Sequence, residues 1–133
     1  MKRILALDIG ERRIGVAFNR GGPIAFPYGT LEEKGLRFLL CLARELGAEE
    51  IVLGWPLRTD GLVGEKAKKI QALKEAMEKE FPGKIVLWDE RFSTKEVEKR
   101  LIEAGVKRKR RKETVDQLAA ALILQNYLDR GGQ

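Results

Sequence analysis

The chain has 133 residues, with 26 Lys and Arg against 20 Asp and Glu, one Cys and no His. This length predicts one domain with a single hydrophobic core. Without histidine, imidazole bases, Ser-His and Cys-His nucleophile pairs and His-ligated zinc sites are excluded. One cysteine cannot form an internal disulfide. Any acid, base or metal chemistry must therefore come from carboxylates, Lys, Tyr or hydroxyl groups.

Charge and hydropathy narrow the class further. With 44% hydrophobic and 35% charged residues, the composition is typical of a globular domain with an ionised surface. The net charge of +6 favours a polyanionic partner. The longest apolar runs have the length of strands, and the N-terminus lacks the apolar region of a signal peptide. We therefore expect a cytoplasmic protein without a membrane span.

The first part of the chain predicts three strands joined by short connections. The first is an apolar run over Arg3–Ile9 that Gly10 closes, and the second covers Ile14–Phe18. A weaker third strand, Ile24–Tyr28, follows the turn residues that end at Pro23. Short connections of this kind indicate an antiparallel meander.

Helices and strands alternate in the rest of the chain. The predicted elements are a helix from the capping box Thr30 to Glu33 up to Gly47, a strand Ile51–Trp55, a helix from about Glu65 to Glu80, a strand Ile85–Trp88, a helix from Ser93 to Gly105 and a last helix from Thr114. This order predicts an α/β fold with a mixed five-stranded sheet, in which three antiparallel N-terminal strands precede parallel strands, flanked by helices. Sites in such sheets form beyond the carboxyl ends of the parallel strands.

Carboxylates follow two of these strands. Asp8 ends an apolar strand, where a charge needs a metal ion, an Arg or the amides of the following turn as its partner. Asp89 and Glu90 directly follow the fifth strand, and strand alternation places them on opposite faces. One of the two is expected to face the site, and the other to pair with Arg91 or with solvent.

Asp116 is a third candidate, in the first turn of the predicted last helix. A carboxylate is favourable there in any case because it meets the helix N-terminus. Asp116 however lies on the apolar stripe of that helix, where a run of small alanines allows a close approach to the sheet. Three acids from separate elements would form a site for Mg²⁺ or Mn²⁺, which prefer carboxylate and water oxygens. Two such ions can support phosphodiester cleavage.

A basic segment precedes Asp116 in the sequence. Its six consecutive cations predict a mobile loop between the last two helices, because like charges repel. Beside a cluster of acids it is typical of a phosphate clamp, although a solvated charge run or a nuclear address has the same composition. The candidate nucleic-acid-binding residues are Lys107, Arg108, Lys109, Arg110, Arg111 and Lys112, together with Arg12, Arg13 and Arg91 near the other acids.

Four blocks carry a resemblance to a known family. They are Leu7–Ala17, Val52–Gly61, Asp89–Thr94 and Val115–Gln125, and they occur in order over nearly the whole chain. Together they resemble the YqgF/RuvX family. The resemblance implies an RNase H-like fold related to Holliday junction resolvases, and a nuclease linked to maturation of the 5′ end of the 16S ribosomal RNA precursor.

The resemblance also implies a set of site residues. It suggests Asp8, Glu90 and Asp116 as the catalytic, metal-binding acids for Mg²⁺ or Mn²⁺, with Asp89 as the substitute for Glu90. Resolvases of the wider superfamily carry an acid on the fourth strand, whereas Ile51–Trp55 has none. The implied partner is structured RNA or branched DNA, bound by a monomer or a homodimer.

Two other interpretations remain open at this stage. Actin-like ATPases and sugar kinases also begin with a strand, an Asp-x-Gly like Asp8 to Gly10, and a second strand, but they need two such lobes and this chain supplies one. An RNase H-like module that binds nucleic acid without hydrolysis would carry the same acids and cations as the enzyme. ATP binding would identify the first alternative, and a lack of Mn²⁺ binding at Asp8 would favour the second.

Overall fold

The sheet is the centre of the molecule. The computed structural model describes residues 1–10, 13–32, 35–55, 64–89, 99 and 102–130, without the side chains of residues 55, 89 and 111–117. The elements are the strands β1 (Ile4–Ile9), β2 (Ile14–Phe18), β3 (Phe26–Leu31), β4 (Glu50–Trp55) and β5 (Lys84–Asp89), and the helices α1 (Leu36–Glu45), α2 (Glu65–Glu78) and α3 (Arg108–Asp129).

The strand order is β3-β2-β1-β4-β5. β1 pairs antiparallel with β2, and β2 pairs antiparallel with β3. On its other side β1 pairs in parallel with β4, and β4 pairs in parallel with β5. The predicted mixed five-stranded sheet is therefore confirmed, with the meander on one side of β1 and the parallel strands on the other.

The two faces of the sheet are covered by different helices. Successive residues of a strand point to opposite faces, so odd-numbered residues of β1 such as Leu5 and Leu7 pack in one cluster with α1 and α2. Even-numbered residues such as Ile4 and Ala6 pack in a second cluster with α3. We call these the α2 face and the α3 face.

The start of α1 differs from the prediction. Thr30 was expected to cap the helix, but β3 continues to Leu31 and Thr30 pairs with Gly15. The helix begins at Leu36 after Gly35, which supplies no side-chain cap. Pairing with β2 supplies the backbone partners for this segment, and this outweighs a local capping pattern. The end is as predicted, since Gly47 adopts a φ of 68° and its N–H donates to Arg44.

The basic segment also differs from the prediction. The expected mobile loop and the helix start at Thr114 are both wrong, because α3 begins at Arg108 and Thr114 lies inside it. Straight-chain Lys and Arg lose little rotamer freedom in a helix, and they hold their charges apart around the helix axis. Anchored further along by its buried alanines, α3 extends through the cations.

The predicted helix between β5 and α3 lies mostly outside the described residues, including its capping box at Ser93. Lys99, Ile102 and Glu103 are helical, and Gly105 follows with a φ of 77°. The predicted end of this helix at Gly105 is therefore confirmed. Within the described part of the chain, no helix has both the length and the apolar composition that crossing a bilayer requires.

Candidate active site at the carboxyl edge of the sheet

Asp8 lies near the carboxyl end of β1, on the α3 face. It is partly buried, and its neighbour across the antiparallel pairing is Gly15. On the parallel side Leu7 pairs with Leu53, which places Gly54 next to Asp8. Asp8 is therefore flanked on both sides by residues without side chains. This leaves space around its carboxylate at the sheet edge.

The Asp8 carboxylate has no hydrogen bond or ion pair with any residue that the structure describes. The turn that follows does not supply one through Gly10, whose N–H donates to the carbonyl of Arg13 at 2.9 Å. A Cβ at Gly10 would lie 2.8 Å from that carbonyl oxygen, so only glycine fits this turn. The turn holds Arg13, which is partly buried, just beyond Asp8. Arg12 lies outside the described residues.

The C-terminal end of α3 is anchored at the amino edge of the sheet. The Tyr127 hydroxyl donates to Glu50 at the start of β4. Gln125 accepts from the Ala25 N–H at 2.8 Å and donates to the Pro23 carbonyl at 3.0 Å, both just before β3. These anchors all lie at the amino ends of β3 and β4. The C-terminal end of α3 is therefore at the amino edge of the sheet, and its N-terminal end points toward the carboxyl edge.

The length of α3 is sufficient for Asp116 to reach the level of Asp8. From Tyr127 to Asp116 the helix rises about 16 Å at about 1.5 Å per residue, and β1 rises about 13 Å from Ile4 to Asp8 at about 3.3 Å per residue. Asp116 also precedes Ala120 by one helical turn, on the stripe that continues to Ile123 and is buried against the sheet. The structure does not describe the side chain of Asp116.

The second candidate acid follows β5. Asp89 is the last residue of that strand and is in register with Trp55, while Glu90 lies outside the described residues. In β5 the even-numbered Val86 and Trp88 pack on the α3 face, and the odd-numbered Ile85 and Leu87 pack on the α2 face. The assignments of Glu90 and Asp116 stay predictions.

The basic segment extends past the sheet edge. From Tyr127 back to Arg108 the helix rises about 28 Å, whereas a six-residue strand spans about 20 Å. Lys107, Arg108, Lys109 and Arg110 are all exposed there. Arg111 and Lys112 continue the helix, and Arg91 lies outside the described residues. The cations therefore lie on the same side of the molecule as Asp8.

A second carboxylate site lies at the amino edge, and sequence reasoning missed it. Glu50 is fully buried, accepts from Tyr127, and has the Lys2 ammonium 3.7 Å from its Oε1. Burial, and then the Glu50 carboxylate, raise the pKa of Tyr127 above its ordinary value. In the sequence, Glu50 precedes an apolar strand and Tyr127 lies on the apolar stripe of a helix. Because 77 residues separate them, no local pattern predicts their contact.

The described residues by themselves do not form a metal centre. Among them no three side chains of the metal-binding types are grouped to hold an ion. Asp8 supplies one carboxylate, and β4 adds none, since its acid Glu50 lies at the opposite end of the strand. The arrangement chemically offers an oxygen ligand at an open sheet edge, with a positively charged helix above it.

Comparisons with known sequences identify one family. A family model described as "RuvX: Holliday junction resolvase" matches residues 2–130. A relative from Syntrophomonas wolfei, named "Putative pre-16S rRNA nuclease", is 44% identical over 97% of this chain and 95% of its own. A relative from Geobacillus kaustophilus with the same name is 39% identical over 96% of this chain and 97% of its own.

A solved structure gives the fold independently of sequence. Thermus thermophilus RuvC in complex with a Holliday junction substrate superposes with a TM-score of 0.58 at 12% identity, over 99% of this chain and 98% of RuvC. At that identity the likeness concerns the fold, which is the RNase H-like fold that the family resemblance implied. Since the family model covers nearly the whole chain and full-length relatives reach 44% identity, the chain belongs to the RuvX family.

Proposed function

We propose that the chain is a divalent-metal-dependent endonuclease that hydrolyses phosphodiester bonds in the 5′-end processing of pre-16S rRNA. The observation that carries the proposal is the Asp8 carboxylate, which lies between two glycine positions at the carboxyl edge and has no partner among the described residues. A partly buried charge without a partner is costly unless a ligand completes it. The names of the curated relatives supply the substrate class.

The chemistry of Asp8 fits a hard cation. Mg²⁺ and Mn²⁺ prefer carboxylate oxygens, and no described cation competes for this one. We propose that Asp8, Glu90 and Asp116 hold the metal. The parity of β5 favours Glu90 over Asp89, because even-numbered positions of that strand share the α3 face with Asp8. When bound, the cation supplies Lewis acidity at the scissile phosphate.

The cations of the chain bind the rest of the substrate in this proposal. Arg13 lies in the turn just past Asp8, and the exposed residues 107–110 extend over the same edge. We propose that they neutralise phosphates of the substrate together with the sequence-predicted Arg12, Arg91, Arg111 and Lys112. Contacts of this kind position a nucleic acid and supply most of its affinity without reading its sequence.

Cleavage of two end-labelled substrates tests the proposal. Precursor 16S rRNA and a four-way DNA junction are incubated with wild type, Asp8→Asn and the matched control Asp129→Asn, in Mg²⁺, in Mn²⁺ and in chelator. Asp129 is exposed at the far end of α3. We expect metal-dependent cleavage of the RNA by wild type and by Asp129→Asn, and none by Asp8→Asn.

Three other results of the cleavage test would change the proposed function or its site. Cleavage of the junction instead of the RNA would replace the ribosomal substrate by a resolvase function, which the description of the family model supports. Binding without cleavage under every condition would contradict the enzyme and leave a nucleic-acid-binding module. Full cleavage by Asp8→Asn would remove Asp8 from the catalytic set.

A further inference from the structure

A cavity of about 610 Å³ opens on the α2 face at the carboxyl edge of the sheet. It lies between the end of β1 and the first turns of α2. Its volume is within the range of pockets that hold a drug-sized or nucleotide-sized molecule. The described residues that line it are Ile9, Gly10, Glu65, Lys66, Lys69, Ile70 and Leu73.

The lining has two chemical parts. Ile70 is buried, and Ile9 and Leu73 are partly buried, so these three form an apolar wall. Lys66 and Lys69 are exposed, and they lie one helical turn apart on α2. An apolar wall beside two ammonium groups matches a molecule with a flat ring at one end and a negative charge at the other.

Glu65 does not cancel this positive charge. Its side chain is 88% exposed, and its carboxylate lies 3.9 Å from the ammonium group of Lys68, which is not among the described lining residues. Among the described lining residues there are therefore two lysines and one acid, which leaves a net positive charge. This balance favours an anionic ligand.

The cavity is adjacent to the candidate active site. Ile9 and Gly10 directly follow Asp8, and alternation along β1 turns Asp8 to the α3 face and Ile9 to the α2 face. A nucleic-acid strand that passes over the carboxyl edge, with one phosphate at Asp8, would reach the cavity within a short stretch of backbone.

We propose that this cavity receives one nucleotide of the substrate strand near the cleaved bond. The base packs against Ile9, Ile70 and Leu73, and the backbone phosphate lies between the ammonium groups of Lys66 and Lys69. This inference rests on the proposed function, and it adds a binding subsite on the face of the sheet opposite to Asp8. Base packing against side chains tolerates different bases, so the subsite positions the strand without specifying its sequence.

The test measures binding separately from cleavage. All proteins carry Asp8→Asn, and the probe is a labelled single-stranded fragment of the precursor RNA. The variant Lys66→Ala/Lys69→Ala is compared with the control Lys79→Ala/Lys84→Ala, which removes the same charge from exposed residues near the amino edge. We expect the first pair to weaken binding about tenfold and to reduce the slope of log Kd against log salt by about 1.4, for two single-strand phosphate contacts. The control pair should change neither quantity by a similar amount.

A second variant tests the apolar wall. Leu73→Glu places a carboxylate in the cavity, whereas Ala72→Glu adds the same charge at an exposed position outside the lining. We expect weaker binding by Leu73→Glu than by Ala72→Glu, with thermal unfolding confirming that both are folded. Removal of single bases from the RNA should identify one position whose loss weakens binding to the reference protein and has less effect on Leu73→Glu.

Three results would overturn the inference. Equal loss of affinity in the two lysine pairs would show a general charge effect. A nucleoside monophosphate that binds with the same lysine dependence while the RNA fragment does not would indicate a free nucleotide as the ligand. Equal binding by Leu73→Glu and Ala72→Glu would remove the base from the cavity. Lysine-dependent RNA binding in this test, together with a wild-type protein that cleaves under no condition, would contradict the proposed function and retain the subsite, so the two failures are distinguishable.

Discussion

The carboxylates at the two edges of the sheet differ in burial and in their partners. At the amino edge Glu50 is fully buried, accepts a hydrogen bond from Tyr127 and lies near the Lys2 ammonium. At the carboxyl edge Asp8 is only partly buried, has glycine positions on both sides and has no partner among the described residues. The first acid is paired within the protein, and we propose that the second binds a ligand.

The surroundings of the two edges follow the same division. At the same edge, the buried Asn19 accepts from the Ile4 N–H at 2.8 Å and donates to the carbonyls of Lys2 and Gly22 at 2.8 and 3.0 Å. Such a network holds the ends of neighbouring elements together. At the carboxyl edge, by contrast, exposed cations and a lysine-lined cavity face outward. We therefore expect changes at the carboxyl edge to alter activity, and changes at the amino edge to alter stability.

The largest expected effect is the loss of cleavage when Asp8 is replaced, and it separates a catalytic role of this carboxylate from a structural one. Asp8→Asn should lower cleavage by about a thousandfold or more, in the range measured when one member of a catalytic set is removed. Its melting temperature should stay near that of wild type or rise, because an unpaired charge has been removed. Cleavage rates and thermal unfolding of the same preparation measure both. A large loss of stability would show that Asp8 serves the fold, as Glu50 does.

The amino edge should show the reverse behaviour. Tyr127→Phe removes the hydroxyl that donates to Glu50 and leaves a buried carboxylate short of a partner, so we expect a loss of about 2–4 kcal/mol in the free energy of unfolding. Replacing both groups, in Tyr127→Phe/Glu50→Met, should recover part of that loss because no buried charge remains. Urea unfolding measures the series. A double variant less stable than Tyr127→Phe would contradict the assigned partnership.

High pH should weaken the same edge. The pKa of Tyr127 is raised in the folded protein, chiefly by burial, above its ordinary value of 10.0. The unfolded chain then loses the phenolic proton first, so stability is fully present below about pH 10 and falls as pH rises above it. The slope attributable to this group is at most about 1.4 kcal/mol per pH unit.

The difference in stability between wild type and Tyr127→Phe isolates this effect, since other groups titrate in both proteins. Urea unfolding at pH 9, 10 and 11 should show that the difference shrinks as pH increases. A constant difference would mean that the pKa of Tyr127 is not raised by folding.

The last expected effect concerns the basic segment. Replacing Lys107, Arg108, Lys109 and Arg110 by Gln should reduce the slope of log Kd against log salt by up to about 3, in proportion to the phosphates that these residues contact. Gln keeps a good helix propensity, so α3 should remain intact by circular dichroism. An unchanged slope would show that the segment is a solvated charge run, and it would leave Asp8 and the cavity as the ligand-facing features of that edge.

The prediction from sequence was most accurate where the pattern is repeated along an element. Periodicity located β2 to the residue and α2 nearly so, and connection lengths gave the parallel and antiparallel pairings. It was wrong at Thr30 and in the basic segment. Thr30 satisfies a capping pattern locally, but its pairing with Gly15 is a long-range choice that the local residues do not encode.

The sequence by itself determined the strands, the helix stripes and the position of Asp8 at the end of an apolar strand, because burial imposes a period of 2 or 3.6 on each element. The tertiary structure alone decided which groups meet across the sheet. It brought Tyr127 to Glu50, placed Gly15 and Gly54 beside Asp8, and enclosed a cavity between β1 and α2. These neighbours are set by strand register and helix packing between distant segments, and no local pattern records such contacts.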